Sequence, residues 1–153
     1  MLENKADDIA YCGLYCVDCP VLGCEIADLA GKLKEKLDRA AFGRVAAGLS
    51  QLSSMAPEMG AFRQYQAFYE VLSVLHSEMR CEKRCKSGGG SGSCPIRLCC
   101  TGKKIDGCWQ CPEFEICDKL VMLRPVHEGR LINNLKIICD RGVEAFIQGP
   151  KEW

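Results

Sequence analysis

A mainly α-helical small domain, with cysteine-rich loops organised by metal, is what this 153-residue sequence predicts. Three observations lead there. Apolar residues recur at helical spacing through the middle and the end of the chain. Twelve of the thirteen cysteines gather at two places, early and in the last half, around a cysteine-free centre, and Cys139 stands alone. No alternating polar and apolar run of useful length predicts a strand.

The cysteine-free centre, residues 25–78, reads as three helices packed by their apolar faces. Ile26, Leu29, Ala30, Leu33 and Leu37 form one stripe, with Lys and Glu opposite. Phe42, Val45, Ala46, Leu49 and Leu52 form a second. After Pro57, a third runs through Phe62, Tyr65, Tyr69, Leu72 and Leu75 to Met79. Further on, Pro112 predicts the start of a short helix through Leu123, ended by Pro125. Leu131, Leu135 and Ile138 support another, stopped near Gly142, and residues 143–147 predict one more turn. Residues 87–93, Ser-Gly-Gly-Gly-Ser-Gly-Ser, have the composition of a flexible linker, yet they lie inside the cysteine cluster and read as a loop between ligands. The whole chain, 1–153, reads as a single domain.

Composition is that of a soluble globule, with 48% hydrophobic and 26% charged residues. A net charge of zero argues against broad nucleic-acid or membrane binding. The first ten residues are acidic and polar, without the apolar core of a secretion signal. No apolar run approaches the roughly 20 residues of a membrane span. An oxidised secreted domain carries an even cysteine count; here it is odd. These features predict a cytoplasmic protein whose thiols are free, redox-active or metal-bound.

The first cluster is Cys12-Gly-Leu-Tyr-Cys16-Val-Asp-Cys19-Pro20, a CxxxCxxC run with Cys24 close behind. Such spacing lets several thiolates converge on one ion, and structural zinc takes four Cys or Cys/His ligands at about 2.3 Å. The same spacing marks the iron–sulfur motif of radical enzymes. Those enzymes need a barrel of parallel strands, for which this chain is too short and too helical, and Asp18 stands where an aromatic is usual. A bacterial ferredoxin run does not match either.

The second cluster holds eight cysteines between positions 81 and 117: Cys81, Cys85, Cys94, Cys99, Cys100, the Cys108-Trp-Gln-Cys111-Pro knuckle, and Cys117. Paired cysteines at this density point to metal without naming it; a redox CxxC needs a βαβ context that is absent. Cys99 and Cys100 are adjacent, so their side chains diverge and one of them binds a given ion. Lys83, Arg84, Lys86, Arg97, Lys103 and Lys104 lie around the cluster, with Glu82 the one acid nearby before Asp106. Four thiolates on a divalent ion leave a double negative charge, which cations stabilise; a nucleic-acid patch is the alternative use of such charges. Trp109 and Phe114 are expected to pack over the site as a dry shell. His127 is a ligand or a local hydrogen-bonding group, and His76 lies on the third helix. There is no Ser/His/Asp set, phosphate-binding glycine loop or pair of carboxylates on one helical face, so no catalytic centre is expected.

Three segments resemble the prokaryotic family called domain of unknown function 3795. They are the Tyr11–Pro20 run, Cys94-Pro-Ile-Arg-Leu-Cys99-Cys100, and the run from Gly107 through Cys108-Trp-Gln-Cys111-Pro-Glu-Phe-Glu-Ile-Cys117 to Leu120. The glycine-rich run after Cys85 is similar too, and His127, Asn134-Leu135, Gly142 and Phe146 resemble a subgroup. The resemblance implies zinc held by cysteines and no established activity. Its matching positions are Cys12, Cys16, Cys19, Cys85, Cys94, Cys99, Cys108, Cys111 and Cys117, with Cys81 a looser match; Cys24 and Cys139 fall outside.

The expected ligands are thus Cys12, Cys16, Cys19, Cys81, Cys85, Cys94, Cys99, Cys108, Cys111 and Cys117. The expected cofactor is zinc, with an iron–sulfur cluster for electron transfer or redox sensing as the alternative, since both accept four thiolates. The expected role is a non-enzymatic module for a partner that the sequence does not name, a protein rather than a membrane or nucleic acid, and a thiol-based redox or metal-handling protein is a third reading. The division of ligands is expected to join Cys117 to Cys12, Cys16 and Cys19. The rest, drawn from Cys81, Cys85, Cys94, Cys99, Cys108 and Cys111, would form a second site. A purely local first site closed by Cys24 is the alternative.

Overall fold

The computed structural model describes residues 5–151. The protein is mainly α-helical; among the described residues the only strand-like pairings are two isolated bridges, Ile9 with Tyr15 and Leu22 with Cys81. The chain divides into two compact units. One is Gly23–Arg80; the other joins Met1–Leu22 to Cys81–Trp153.

In the Gly23–Arg80 unit, Cys24 takes a left-handed conformation immediately before α1, Glu25–Arg39. Glu25 and Asp28 in its first turn and Lys36 and Arg39 in its last complement the helix dipole. Ala41, again left-handed, turns the chain into α2, Phe42–Ser50. The third apolar stripe is not one helix. Residues Pro57–Gln64 wind as a 3-10 segment, and α3 begins only at Tyr65 and runs to Glu78. Gly60, inside that segment, weakens α-helix formation there. α1 packs on α3. His76 lies where a Cβ on Gly31 would stand 2.5 Å from its ring, and its Nδ1 is 3.2 Å from the Ala27 carbonyl. Lys34 donates to the Tyr69 hydroxyl at 2.8 Å, and Arg80 pairs with Asp28 at 2.9 Å.

The other unit is built around Ile9, Ile96, Trp109, Phe114, Leu120, Leu135, Ile138 and Phe146, all buried. Its first segment reverses tightly at Gly13 (φ 89°), a left-handed position that favours glycine. The Ala10 N–H donates to the Leu14 carbonyl at 2.8 Å. A 3-10 turn, Cys16–Asp18, follows. The chain re-enters at Cys81, beside Leu22 in the parallel bridge. The glycine-rich run is folded: the Arg84 carbonyl accepts from Ser87 and Gly89, and a Cβ on Gly89 would lie 1.5 Å from the Lys83 carbonyl oxygen. Next comes α4, Pro95–Lys103, with proline at its start.

The expected helix from Pro112 through Leu123, ended by Pro125, is corrected by the structure. Phe114–Ile116 is a 3-10 turn, and the extended Cys117 interrupts it before α5, Asp118–Val121. Pro125 lies in the first turn of α6, Arg124–His127, rather than closing a helix, because the N–H groups of the first turn have no partner within the helix. α7, Arg130–Gln148, is broken at Gly142 (φ 82°, ψ 166°), where the stop was expected, and resumes to bury Phe146. Asn134, fully buried on α7, donates to the Gly13 carbonyl at 3.2 Å and ties the last helix to the first turn. No helix among the described residues is long and apolar enough to cross a membrane.

Candidate metal centre

All thirteen cysteines are free thiols. Eleven of them fall into two groups, both in the unit made of the chain's two outer segments.

The first group comprises Cys12, Cys16, Cys19, Cys81, Cys85 and Cys94. The turn at Gly13 and the following 3-10 turn present Cys12, Cys16 and Cys19, and the Leu22–Cys81 bridge brings the second segment alongside. Burial pushes the Cys12 thiol up to about 12; a hydrogen bond with the Leu14 backbone opposes this, and the nearby sulfurs of Cys85 and Cys94 add to it. Burial likewise raises Cys16, against a hydrogen bond with the Cys85 backbone, with Cys85, Cys19 and Cys81 raising it further. Cys85 thus neighbours both Cys12 and Cys16. The Arg97 guanidinium points at the Cys85 sulfur from 3.6 Å and also donates to the Gly89 carbonyl.

The second group is Cys99, Cys100, Cys108, Cys111 and Cys117, which together with Lys103 line a cavity of about 310 Å³. α4 supplies the adjacent pair. Ile96 and Cys100, four residues apart, lie buried on one helical face, while Cys99 is partly exposed. Cys108 and Cys111 bracket the 3-10 turn Cys108–Gln110, and Cys117 precedes α5. The Lys103 ammonium is 3.4 Å from the Cys111 sulfur, and Cys99 also acts on it. The Cys100 and Cys108 sulfurs are 3.7 Å apart. Their shared hydrogen bond lowers the Cys100 thiol and raises Cys108 strongly, so the first proton leaves the pair easily and the second with difficulty.

The thiol neighbourhoods bear on the expected joining of Cys117 to Cys12, Cys16 and Cys19 in one respect: Cys108 has both Cys12 and Cys117 beside it. Cys117 lines the second cavity with Cys108 and Cys111, since it ends the short turn that begins beside the Cys108 knuckle. Cys81, Cys85 and Cys94 face the first group instead. Cys24 is buried at the head of α1 in the other unit, and Cys139 is exposed on α7. Cys100 is the thiol that adjacency to Cys99 led the sequence reading to leave out; its signal is the four-residue spacing from Ile96.

Of the six cations around the cluster, Arg97 and Lys103 reach sulfur. Arg84 pairs with Asp8 at 2.8 Å, and Lys86 lies over the Tyr11 and Trp109 rings. Phe114 lines the thiol cavity and Trp109 is buried in the adjoining core, as a dry shell requires. His127 is buried on α6, and burial followed by the Arg130 charge lowers its pKa.

Among the described residues, no three Cys, His, Asp or Glu side chains stand close enough to one point to hold an ion as they are. The donor chemistry nonetheless fits a thiophilic cation. Soft sulfur donors are gathered in partly dry surroundings, mutual repulsion opposes their ionisation, and a cation placed between them would relieve it.

The family described as a protein of unknown function (DUF3795) matches residues 8–122. The chain belongs to the DUF3795 family. The match contains both thiol groups and ends before α6 and α7. No curated protein and no solved structure matches the chain.

Proposed function

We propose that this DUF3795 protein is a zinc protein that carries one ion at each thiol group, with the metal serving the fold and the whole acting as a binding module. The observation that carries the reading is the collection of eleven free thiols into two groups within one unit, each with a cation at a sulfur. In the first site Cys85 is the central ligand, shared by the neighbourhoods of Cys12 and Cys16, and the remaining ligands come from Cys19, Cys81 and Cys94. In the second, Cys99, Cys108, Cys111 and Cys117 are the four ligands. Cys99 and Cys111 share Lys103, which offsets part of the charge of a four-thiolate ion. A closed four-thiolate site leaves no position for water or substrate, which is the reason for a structural rather than a catalytic role.

The size of the second cavity, about 310 Å³, favours one other reading, an iron–sulfur cluster, which needs more room than a single ion. Elemental analysis and a visible spectrum of anaerobically purified protein decide between them. Two zinc per chain and no colour support the proposal; iron with visible absorption that bleaches in air supports the cluster; protein with neither metal refutes both. Strong chelation followed by circular dichroism then tests the structural role. Structural zinc contributes an apparent ~10–16 kcal/mol in small peptides, comparable with the whole stability of a domain. Metal removal is therefore expected to unfold at least residues 81–117, and an unchanged melt would overturn the structural role.

A further inference from the structure

The second group contains one thiol more than a four-coordinate ion uses. We propose that Cys100 is not a ligand but a resolving thiol, and that hydrogen peroxide converts Cys100 and Cys108 to a disulfide that releases the ion from this site. The inference rests on the zinc reading for its consequence, but its central claim, the Cys100–Cys108 pair, stands on geometry. Their sulfurs are already 3.7 Å apart, buried together, with the cavity giving a small oxidant access. A disulfide needs about 2.0 Å between sulfurs. Cys100 is the most deeply buried of the five, packed in the core with Ile96, whereas Cys99 shares the Lys103 charge with Cys111. Those positions suit Cys99 to the ligand set and leave Cys100 outside it, in contact with Cys108.

The chemistry closes without a further reagent. The Cys108 sulfur attacks one peroxide oxygen; an S–O bond forms, the O–O bond breaks, and hydroxide leaves. The Cys100 sulfur then attacks the Cys108 sulfur; an S–S bond forms, the S–O bond breaks, and the departing hydroxide takes the Cys100 proton as water. Two sulfurs lose two electrons, and the peroxide is reduced to one water and one hydroxide, the latter neutralised by solvent. Cys108 no longer ligates, and three thiolates remain where four held the ion.

The experiment uses full-length protein as purified, treated with hydrogen peroxide. Released zinc is read with a chromogenic chelator, and disulfides are mapped by differential alkylation and mass spectrometry. The expected result is release of one of two zinc ions together with a Cys100–Cys108 disulfide, both reversed by dithiothreitol. Cys100→Ala is expected to keep two zinc ions and to lose the fast release by about tenfold or more, since a contact partner is replaced by thiols that must diffuse or rearrange. Loss of an ion from untreated Cys100→Ala would show Cys100 to be a ligand and overturn the proposal. Zinc-loaded wild-type protein that forms its disulfide elsewhere, or none, would overturn it without any variant. Zinc-free wild-type protein that still forms the Cys100–Cys108 disulfide would refute the zinc reading and uphold the pair.

Discussion

Phe146 lies in α7, beyond the residues that match the family, yet it is 0% exposed and its ring meets Tyr15 edge-on at 6.4 Å and 83°. Tyr15 directly precedes Cys16, so this contact braces the turn that presents the first thiol group. Phe146→Ala removes a fully buried ring. Such truncations cost about 3–5 kcal/mol, of which the aromatic pair accounts for roughly 0.5–1.5 kcal/mol. Set against the ~5–15 kcal/mol of a whole domain, this is a large fraction. At about 4 °C per kcal/mol for a unit of roughly 100 residues, the melting temperature should fall by about 12–20 °C. Phe146→Leu keeps most of the volume and should cost only about 1.5 kcal/mol. The assay is thermal denaturation of metal-loaded protein by circular dichroism, with zinc content measured before the melt. A loss below about 1 kcal/mol for the alanine variant would refute the reasoning, because it would mean that α7 does not close this core.

Three further outcomes are expected. The Cys12 thiol is held at about 12 against an ordinary 9, so the fold keeps its proton longer than the unfolded chain does. Where the metal-free chain keeps its fold around Cys12, that thiol's contribution should therefore be present in full below pH 9 and be lost between pH 9 and about 12, whereas metal-loaded protein should lose stability as pH falls and its ligands protonate. Denaturant titrations at several pH values with and without zinc check this, and slopes of the same sign would refute it. Gly89→Ala sets a Cβ 1.5 Å from the Lys83 carbonyl oxygen and should cost about 2–4 kcal/mol in chemical denaturation; a neutral effect would show the glycine-rich run to be a slack linker. Cys117→Ser should lose one zinc and Cys16→Ser the other, additively in the double variant, as elemental analysis reads; loss of a single shared ion in all three would contradict two separate sites.

The sequence by itself determined the helical class, the family and the gathering of the cysteines in two runs. Those depend on local patterns: Ile26, Leu29 and Leu33 at helical spacing, or Cys108-Trp-Gln-Cys111 on one short turn, and each is visible within a few residues. It also placed the break at Gly142, since glycine alone marks a position that helical backbone geometry disfavours. The division of thiols was different. Cys117 reaches Cys108 through successive local turns, whereas Cys85 sits near Cys16 because the Leu22–Cys81 bridge and the fold of residues 84–89 return the chain to its own start. Pairings across that distance leave no periodicity in the sequence. Proline was misread for a related reason: Pro125 carries the same missing N–H whether it stops a helix or starts one, and the residues around it decide which. The neighbourhood of Cys100 was settled only by tertiary packing, which turned one of two adjacent thiols into the core against Cys108 and left the other beside Lys103.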